Sequence, residues 1–290
     1  MNRKSNDHLR TSDFTWDELA NGLVGKNQER SYRDQIYNGQ PLQSFSDFLN
    51  IALKYKVGIY PETKNPEDFN NWLKTENSVN FTFEDLVVQE FNNHEYSRND
   101  YDLVVFWHSF SLDSILELKR LTTGPAGPPG PGVLADTDTY KNSKYTYTSS
   151  GPPKIENLTT LLNHNITGLS LNKNIFVEPK SDNSNHIQKI NKNLAQEYKN
   201  MGFDDLHIYT FRSENQFLLF EFEQDFSLEV AFWLENFPEV TGYVTDFSKS
   251  FRNVFESFIE IDSSSGAESN VGKISFSSLF TLLCILWALK

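Results

Sequence analysis

Glu62 and Lys64 stand two residues apart in the segment Val57-Gly58-Ile59-Tyr60-Pro61-Glu62-Thr63-Lys64-Asn65-Pro66. Side chains two apart on an extended chain share a face. The carboxylate and the ammonium should therefore emerge together where the apolar run Val57 to Tyr60 ends and before Pro66 stops the element. The carboxyl end of a strand is where α/β barrels keep their chemistry. A carboxylate there can bind a divalent cation through oxygen, and an ammonium beside it can hold a phosphate oxygen as a point charge. Taken alone, the same two residues also describe a surface ion pair at a strand end, an interaction worth little.

The elements around this pair follow from local chemistry. Thr15 and Glu18 have capping-box spacing at the start of a helix in Asp13-Phe14-Thr15-Trp16-Asp17-Glu18-Leu19. Ser44 to Lys54 reads as a second capped amphipathic helix that feeds the strand at Val57. Helices are predicted at Phe83 to Phe91, Leu112 to Leu121, Leu194 to Met201, Leu228 to Asn236 and Lys249 to Phe258. Strands are predicted at Asp102 to Trp107, Leu206 to Phe211 and Gly242 to Thr245. Strands alternating with helices of this length imply βα units and a parallel sheet. The segment Gly124-Pro125-Ala126-Gly127-Pro128-Pro129-Gly130-Pro131-Gly132 holds three collagen-like triplets, too few for a triple helix. It reads as an extended exposed loop that continues through a Tyr/Ser/Thr-rich stretch to Gly151-Pro152-Pro153.

At 290 residues the chain can bury a full core, as one large α/β domain or two small ones. Its 39 acidic and 26 basic residues give a formal charge of −13, and no Lys/Arg-rich block overrides it locally. That balance excludes nucleic acid as the natural partner. Cys284 is the only cysteine, so disulfides contribute nothing. Asn80-Phe81-Thr82, Asn157-Leu158-Thr159 and Asn165-Ile166-Thr167 are glycosylation acceptor sequences. The small residues Ser263-Ser264-Ser265-Gly266-Ala267 precede a polar spacer and an apolar tail from Ile274 to Leu289. This is the order of a glycolipid-anchor signal, with Ser264 and Ser265 as attachment candidates; a short tail anchor or a packed terminal helix is the alternative. Residues Met1 to His8 contain no apolar secretory segment. The two ends are reconciled most simply if the chain lacks its true N-terminus.

Five ordered segments resemble the glycerophosphodiester phosphodiesterase family. Val57 to Pro66 looks like its Gly-Ile-Tyr-Pro-Glu-x-Lys strand, and Asp13 to Leu19 is similar to its Asp-Phe-Thr-Leu-Asp-Glu-Leu segment. Tyr32-Arg33-Asp34-Gln35-Ile36-Tyr37-Asn38-Gly39 is similar to its Arg-Asp-Gln-x-Tyr-Asp-Gly loop. His207-Ile208-Tyr209-Thr210-Phe211-Arg212-Ser213-Glu214 and Thr241-Gly242-Tyr243-Val244-Thr245-Asp246-Phe247 look like its last two strands. The resemblance implies an α/β fold, a TIM (β/α)8 barrel of the phospholipase C-like phosphodiesterase type. It implies hydrolysis of a glycerophosphodiester to sn-glycerol 3-phosphate and an alcohol such as choline or ethanolamine, a reaction of lipid and glycerol metabolism. A Ca²⁺ or Mg²⁺ cofactor is implied too, with Glu62 as one metal carboxylate and Lys64 as the phosphate-holding lysine.

The chain also departs from the family pattern. The family's His-Arg-Gly strand, Glu-x-Asp metal pair and His-Asp strand precede the Asp-Phe-Thr segment, and the twelve residues before Asp13 contain none of them. The barrel is therefore expected to be N-terminally incomplete, without both catalytic histidines and two of three metal carboxylates. His108, in Trp107-His108-Ser109-Phe110, replaces a family Gln and is either a new acid/base group or an incidental substitution. His207, Arg212 and Asp246 are expected beside the substrate, whereas His8, His94, His164 and His186 read as surface residues. The expected organisation is a remnant at 1–12, a barrel at 13–260 with an insert at about 123–153, and a tail at 261–290. Two functions follow: a phosphodiesterase at the outer face of the plasma membrane, held by a lipid anchor or the C-terminal tail, or secreted; and a catalytically inactive surface or matrix protein of the same fold.

Overall fold

The structure is a computed structural model, and it describes residues 14–22, 39, 41–76, 79–98, 103–123, 140, 142–179, 187–214, 218–222 and 225–264. The Tyr32–Gly39 loop (apart from Gly39), the Gly-Pro segment 124–132, His8, His186, Ser265 and the apolar tail lie outside the described residues.

In chain order the elements are α1 (Trp16–Gly22), α2 (Phe45–Tyr55), β1 (Glu62–Thr63), α3 (Pro66–Glu76), α4 (Phe83–Asn93), β2 (Val105–Ser109), α5 (Leu112–Thr123), β3 (Ser143–Ser149), α6 (Ile155–Asn163), β4 (Gly168–Asn172), β5 (Val177–Pro179), β6 (Ile187–Ile190), α7 (Asn193–Met201), β7 (Asp205–Phe211), α8 (Phe226–Asn236), β8 (Gly242–Thr245) and α9 (Ser248–Ser264). Six strands form one sheet in the order β1-β2-β3-β4-β7-β8, every pair parallel. β5 and β6 form a separate antiparallel ribbon.

Capping explains where several helices begin. Thr15 N donates to Glu18 Oε2 at 2.9 Å and Glu18 N donates to Thr15 Oγ1 at 3.3 Å, which completes the box read from the sequence. Ser44 with Asp47, and Thr82 with Asp85, form the same reciprocal pair at α2 and α4. Pro66 does end the strand segment, but it also opens α3, where a missing N–H leaves no helical bond unmade.

The sheet is curled. Phe106 on β2 and His207 on β7 are three strand spacings apart, about 14 Å if the sheet were flat. Their ring centroids lie 5.1 Å apart. Tyr60, just before β1, is a further strand away, yet its hydroxyl lies 3.0 Å from His207 Nδ1. Only a sheet closing on itself brings these groups together, so the six strands form part of a barrel wall with a lumen inside. Among the described residues β1 and β8 have no partner on their outer edges. This is the incomplete TIM barrel expected from the sequence.

Alternation divides the strands cleanly. Trp107 points to the helices and meets Phe91 of α4 at 5.2 Å, while Phe106 and His108 point to the lumen. Between sheet and helices, Leu118, Leu161, Leu169, Leu206, Ile208, Val230 and Trp233 are fully buried.

Three sequence expectations are corrected. The Tyr/Ser/Thr-rich stretch is not loop: Ser143–Ser149 is strand β3, hydrogen-bonded on both sides inside the sheet. Its aromatic residues Tyr145 and Tyr147 are buried, with Tyr145 Oη 2.6 Å from Thr122 of α5 and Tyr147 bonded to Asn157 of α6. The insert at about 123–153 therefore includes a structural strand. The apolar run 57–60 is held by an isolated bridge, Ile59 to Val105, and the ladder proper begins at Glu62. Pro61 has no N–H to donate, which interrupts pairing there. α3, α6, β4 and the β5–β6 ribbon were not anticipated. Among the remaining histidines, His164 is exposed, whereas His94 is half-buried and accepts from Tyr96 N at 3.0 Å.

Candidate functional site

The parallel register sets side chains in rows across the lumen. Glu62 lies opposite His108, His108 opposite Thr146, and Thr146 opposite Gly168. The next row runs from Thr148 through Ser170 and His207 to Gly242. Thr146, Thr148 and Ser170 are almost fully buried, and their hydroxyls have no hydrogen-bond partner among the described residues. The lumen is thus lined with polar groups rather than closed by aliphatic side chains.

Glu62 and Lys64 form an ion pair at the carboxyl end of β1. The Glu62 side chain is 7% exposed and that of Lys64 is 40% exposed, so the pair spans the boundary between lumen and solvent. Burial raises the Glu62 carboxyl above its usual value, and the Lys64 ammonium works against that rise. Glu62 Oε2 has no hydrogen-bond partner among the described residues. The Lys64 ammonium also lies 4.7 Å from the centroid of Phe110, a partly exposed ring that fixes its direction.

His108 stacks on Tyr60 with ring centroids 4.7 Å apart, and its Nδ1 lies 4.0 Å from Glu62 Oε2. Burial drives its pKa down to about 3, helped by the positive charge of Lys64. His207 is lowered to about 4, chiefly by burial. Burial thus holds both imidazoles in the neutral form at neutral pH, with His108 beside Glu62. Tyr60 connects the two rings, stacking on one and hydrogen-bonding the other. A Cβ at Gly242 would lie 2.4 Å from His207 Cδ2, so glycine at this position makes room for the imidazole.

Arg212 and Asp246 follow β7 and β8 and bond each other, Nε to Oδ2 at 2.9 Å. They are partners in a mouth-side ion pair, separate from the Glu62–Lys64 contact. Lys173, just past β4, makes a second buried pair with Glu229 of α8 and lies 5.2 Å from the Phe211 ring centroid. Asn80, Asn157 and Asn165 lie outside the lumen, on the helix and loop layer, and Ser264 ends α9.

Behind β1 a polar chain fixes the strand that carries Glu62. Thr63 Oγ1 lies 2.9 Å from both Ser109 Oγ and Ser114 Oγ; Ser114 donates to Glu84 Oε1, and Asn70 donates to Glu84 Oε2 at 3.0 Å. Glu84 is 2% exposed. Sequence reading missed Tyr60, Phe110 and Glu84. Tyr60 and Phe110 were visible in principle as the period-two companions of Glu62 and His108, but nothing local marks Glu84.

Among the described residues, no group of three or more His, Cys, Asp or Glu side chains could hold a metal ion. Ca²⁺ takes roughly six to eight oxygen ligands and Mg²⁺ about six. Glu62 offers one carboxylate, so the described residues do not by themselves fit either ion.

A curled parallel α/β sheet with a carboxylate–ammonium pair at its strand ends defines part of a TIM-type barrel. No family model matches the chain. Over 255 residues it is 31% identical to a glycerophosphodiester phosphodiesterase of Arabidopsis thaliana, a match that covers 85% of this chain and 64% of that protein. The chain thus spans somewhat less than two thirds of that relative's length. With the half-barrel fold, this similarity supports the glycerophosphodiester phosphodiesterase family.

Proposed function

We propose that this chain supplies the phosphodiester-holding wall of a glycerophosphodiester phosphodiesterase site. It would act in hydrolysis of a glycerophosphodiester to sn-glycerol 3-phosphate and an alcohol such as choline or ethanolamine. The observation that carries this reading is the Glu62–Lys64 pair, half in the lumen and half in solvent, with the ammonium directed by the Phe110 ring. Lys64 would hold a phosphoryl oxygen in place of its carboxylate partner, and charge-assisted contacts of this kind contribute about 1.5–3 kcal/mol. If Ca²⁺ or Mg²⁺ takes part, Glu62 is the carboxylate this wall brings to it, and further ligands must come from beyond the described residues.

A second reading is a catalytically inactive surface protein that retains the fold. The two neutral, buried histidines favour it, because they supply no acid/base pair near pH 7. Under both readings the acceptor sequences and the small-residue and apolar ending support the outer face of the plasma membrane, or secretion. No helix among the described residues is long and apolar enough to cross a membrane.

The test is release of glycerol 3-phosphate from glycerophosphocholine by the full chain with Ca²⁺ or Mg²⁺. The hydrolase reading expects turnover that falls about 10- to 100-fold in Lys64→Met, the equivalent of losing one charge-assisted contact. Binding without turnover selects the inactive reading. Turnover indifferent to Lys64→Met and Glu62→Gln would remove both residues from the site.

A further inference from the structure

We propose that Asn165 is a glycan acceptor, that Asn80 is a second, and that Asn157, despite its sequence, is not one. The inference rests on the secretory reading given above, but it concerns which side chains can carry a sugar in the folded protein. An N-linked glycan is attached at Nδ2, so that nitrogen must face solvent once the chain has folded.

Asn165 meets this requirement. It is exposed, with φ of +53°, one residue beyond the C-cap of α6 and in the turn leading to β4. Asparagine is among the few non-glycine residues that tolerate this left-handed conformation well. The turn is held through its main chain: Asn165 N donates to Leu162 O at 2.9 Å, and Lys119 Nζ donates to Asn165 O at 2.8 Å. Neither bond uses the side-chain amide. The fold therefore loses nothing when Nδ2 is substituted. This turn joins a helix to the start of a strand, so it lies at the end of the barrel opposite Glu62 and Lys64. A glycan there leaves the mouth open.

Asn80 is exposed two residues before Thr82, the N-cap of α4. The capping box engages Thr82 with Asp85 and leaves Asn80 outside it. Asn157 differs from both. It is half-buried in α6, and its Nδ2 donates to Tyr147 Oη at 3.3 Å, toward the buried outer face of β3. A sugar on that nitrogen would be driven into the interface between α6 and the sheet. Leu158 and Leu161, both buried, close that interface around it.

The experiment expresses the full chain behind a heterologous secretion signal in eukaryotic cells, with glycopeptide mapping of the secreted and retained pools. Asn165 and Asn80 should be occupied and Asn157 empty in secreted protein. Thr167→Ala, which keeps Asn165 in its left-handed turn, and Asn80→Gln should each remove one glycan; Asn157→Gln should migrate like the parent. Occupied Asn157 in secreted protein overturns the proposal, as does an empty Asn165 in either pool. Secretion without the added signal is scored separately: its failure counts against the cell-surface reading and leaves the acceptor assignment standing.

Discussion

Mild acidification should destabilise this protein, because two imidazoles are buried neutral in the lumen. His108 is lowered to about 3 and His207 to about 4, whereas an unfolded histidine titrates near 6.5. A depressed base binds its proton more weakly in the folded state. Its neutral form is therefore accommodated above pH 6.5, and stability is lost as pH falls through 6.5 toward the folded value. Each histidine contributes a loss of about 1.3 kcal/mol between pH 7 and 5.5, together about 2.5 kcal/mol. That is a large share of the ~5–15 kcal/mol typical of a domain. The charge of Lys64 strengthens the effect at His108, and those of Lys144 and Lys199 do so at His207, where Asp205 opposes them. The raised Glu62 carboxyl works in the other direction, since its folded form takes up a proton more readily as pH falls. The assay is urea unfolding followed by tryptophan fluorescence at pH 7 and 5.5, in the parent and in His108→Asn/His207→Asn. The parent should lose about 2 kcal/mol or more, and the double variant should lose little. A parent midpoint unchanged across this interval would refute the neutral, buried placement of both rings.

Other outcomes follow from single contacts. Gly242→Ala should cost about 1–3 kcal/mol by overpacking, since the new methyl meets His207 at 2.4 Å; His207→Ser in the same chain should recover most of it, as read by a denaturant double-mutant cycle. Lys173→Met leaves Glu229 buried without its ion partner and should cost about 3–5 kcal/mol, whereas Lys173→Met/Glu229→Leu should restore much of that loss. Glu84→Ala removes the carboxylate that accepts from the Ser114 hydroxyl and the Asn70 amide and should cost about 1–3 kcal/mol; amide exchange should show the strand at Thr63 loosening more than β4.

What the sequence made legible was local. The capping boxes at Thr15 and Ser44 depend on residues three apart, and the Glu62–Lys64 pair depends on period two; both patterns read directly as geometry. β3 was hidden because its lumen face carries Lys144, Thr146 and Thr148. A strand facing a polar lumen shows no apolar run, and its aromatic partners Tyr145 and Tyr147 resemble loop composition. β4 is short, and its serine faces the same polar lumen. The site's supports were illegible for another reason. Tyr60 and His207 meet across 147 residues of chain, and Glu84 reaches Ser114 across 30. Such contacts are created by the curl of the sheet, which local pattern does not encode.

The central claim is that the Glu62–Lys64 end of β1 holds a phosphoryl group, and ligand binding tests it without requiring turnover. In a ³¹P NMR titration of sn-glycerol 3-phosphate into the full chain, the parent should show saturable binding that Lys64→Met weakens about tenfold or more. Equal binding by parent and variant, or none by the parent, would contradict it.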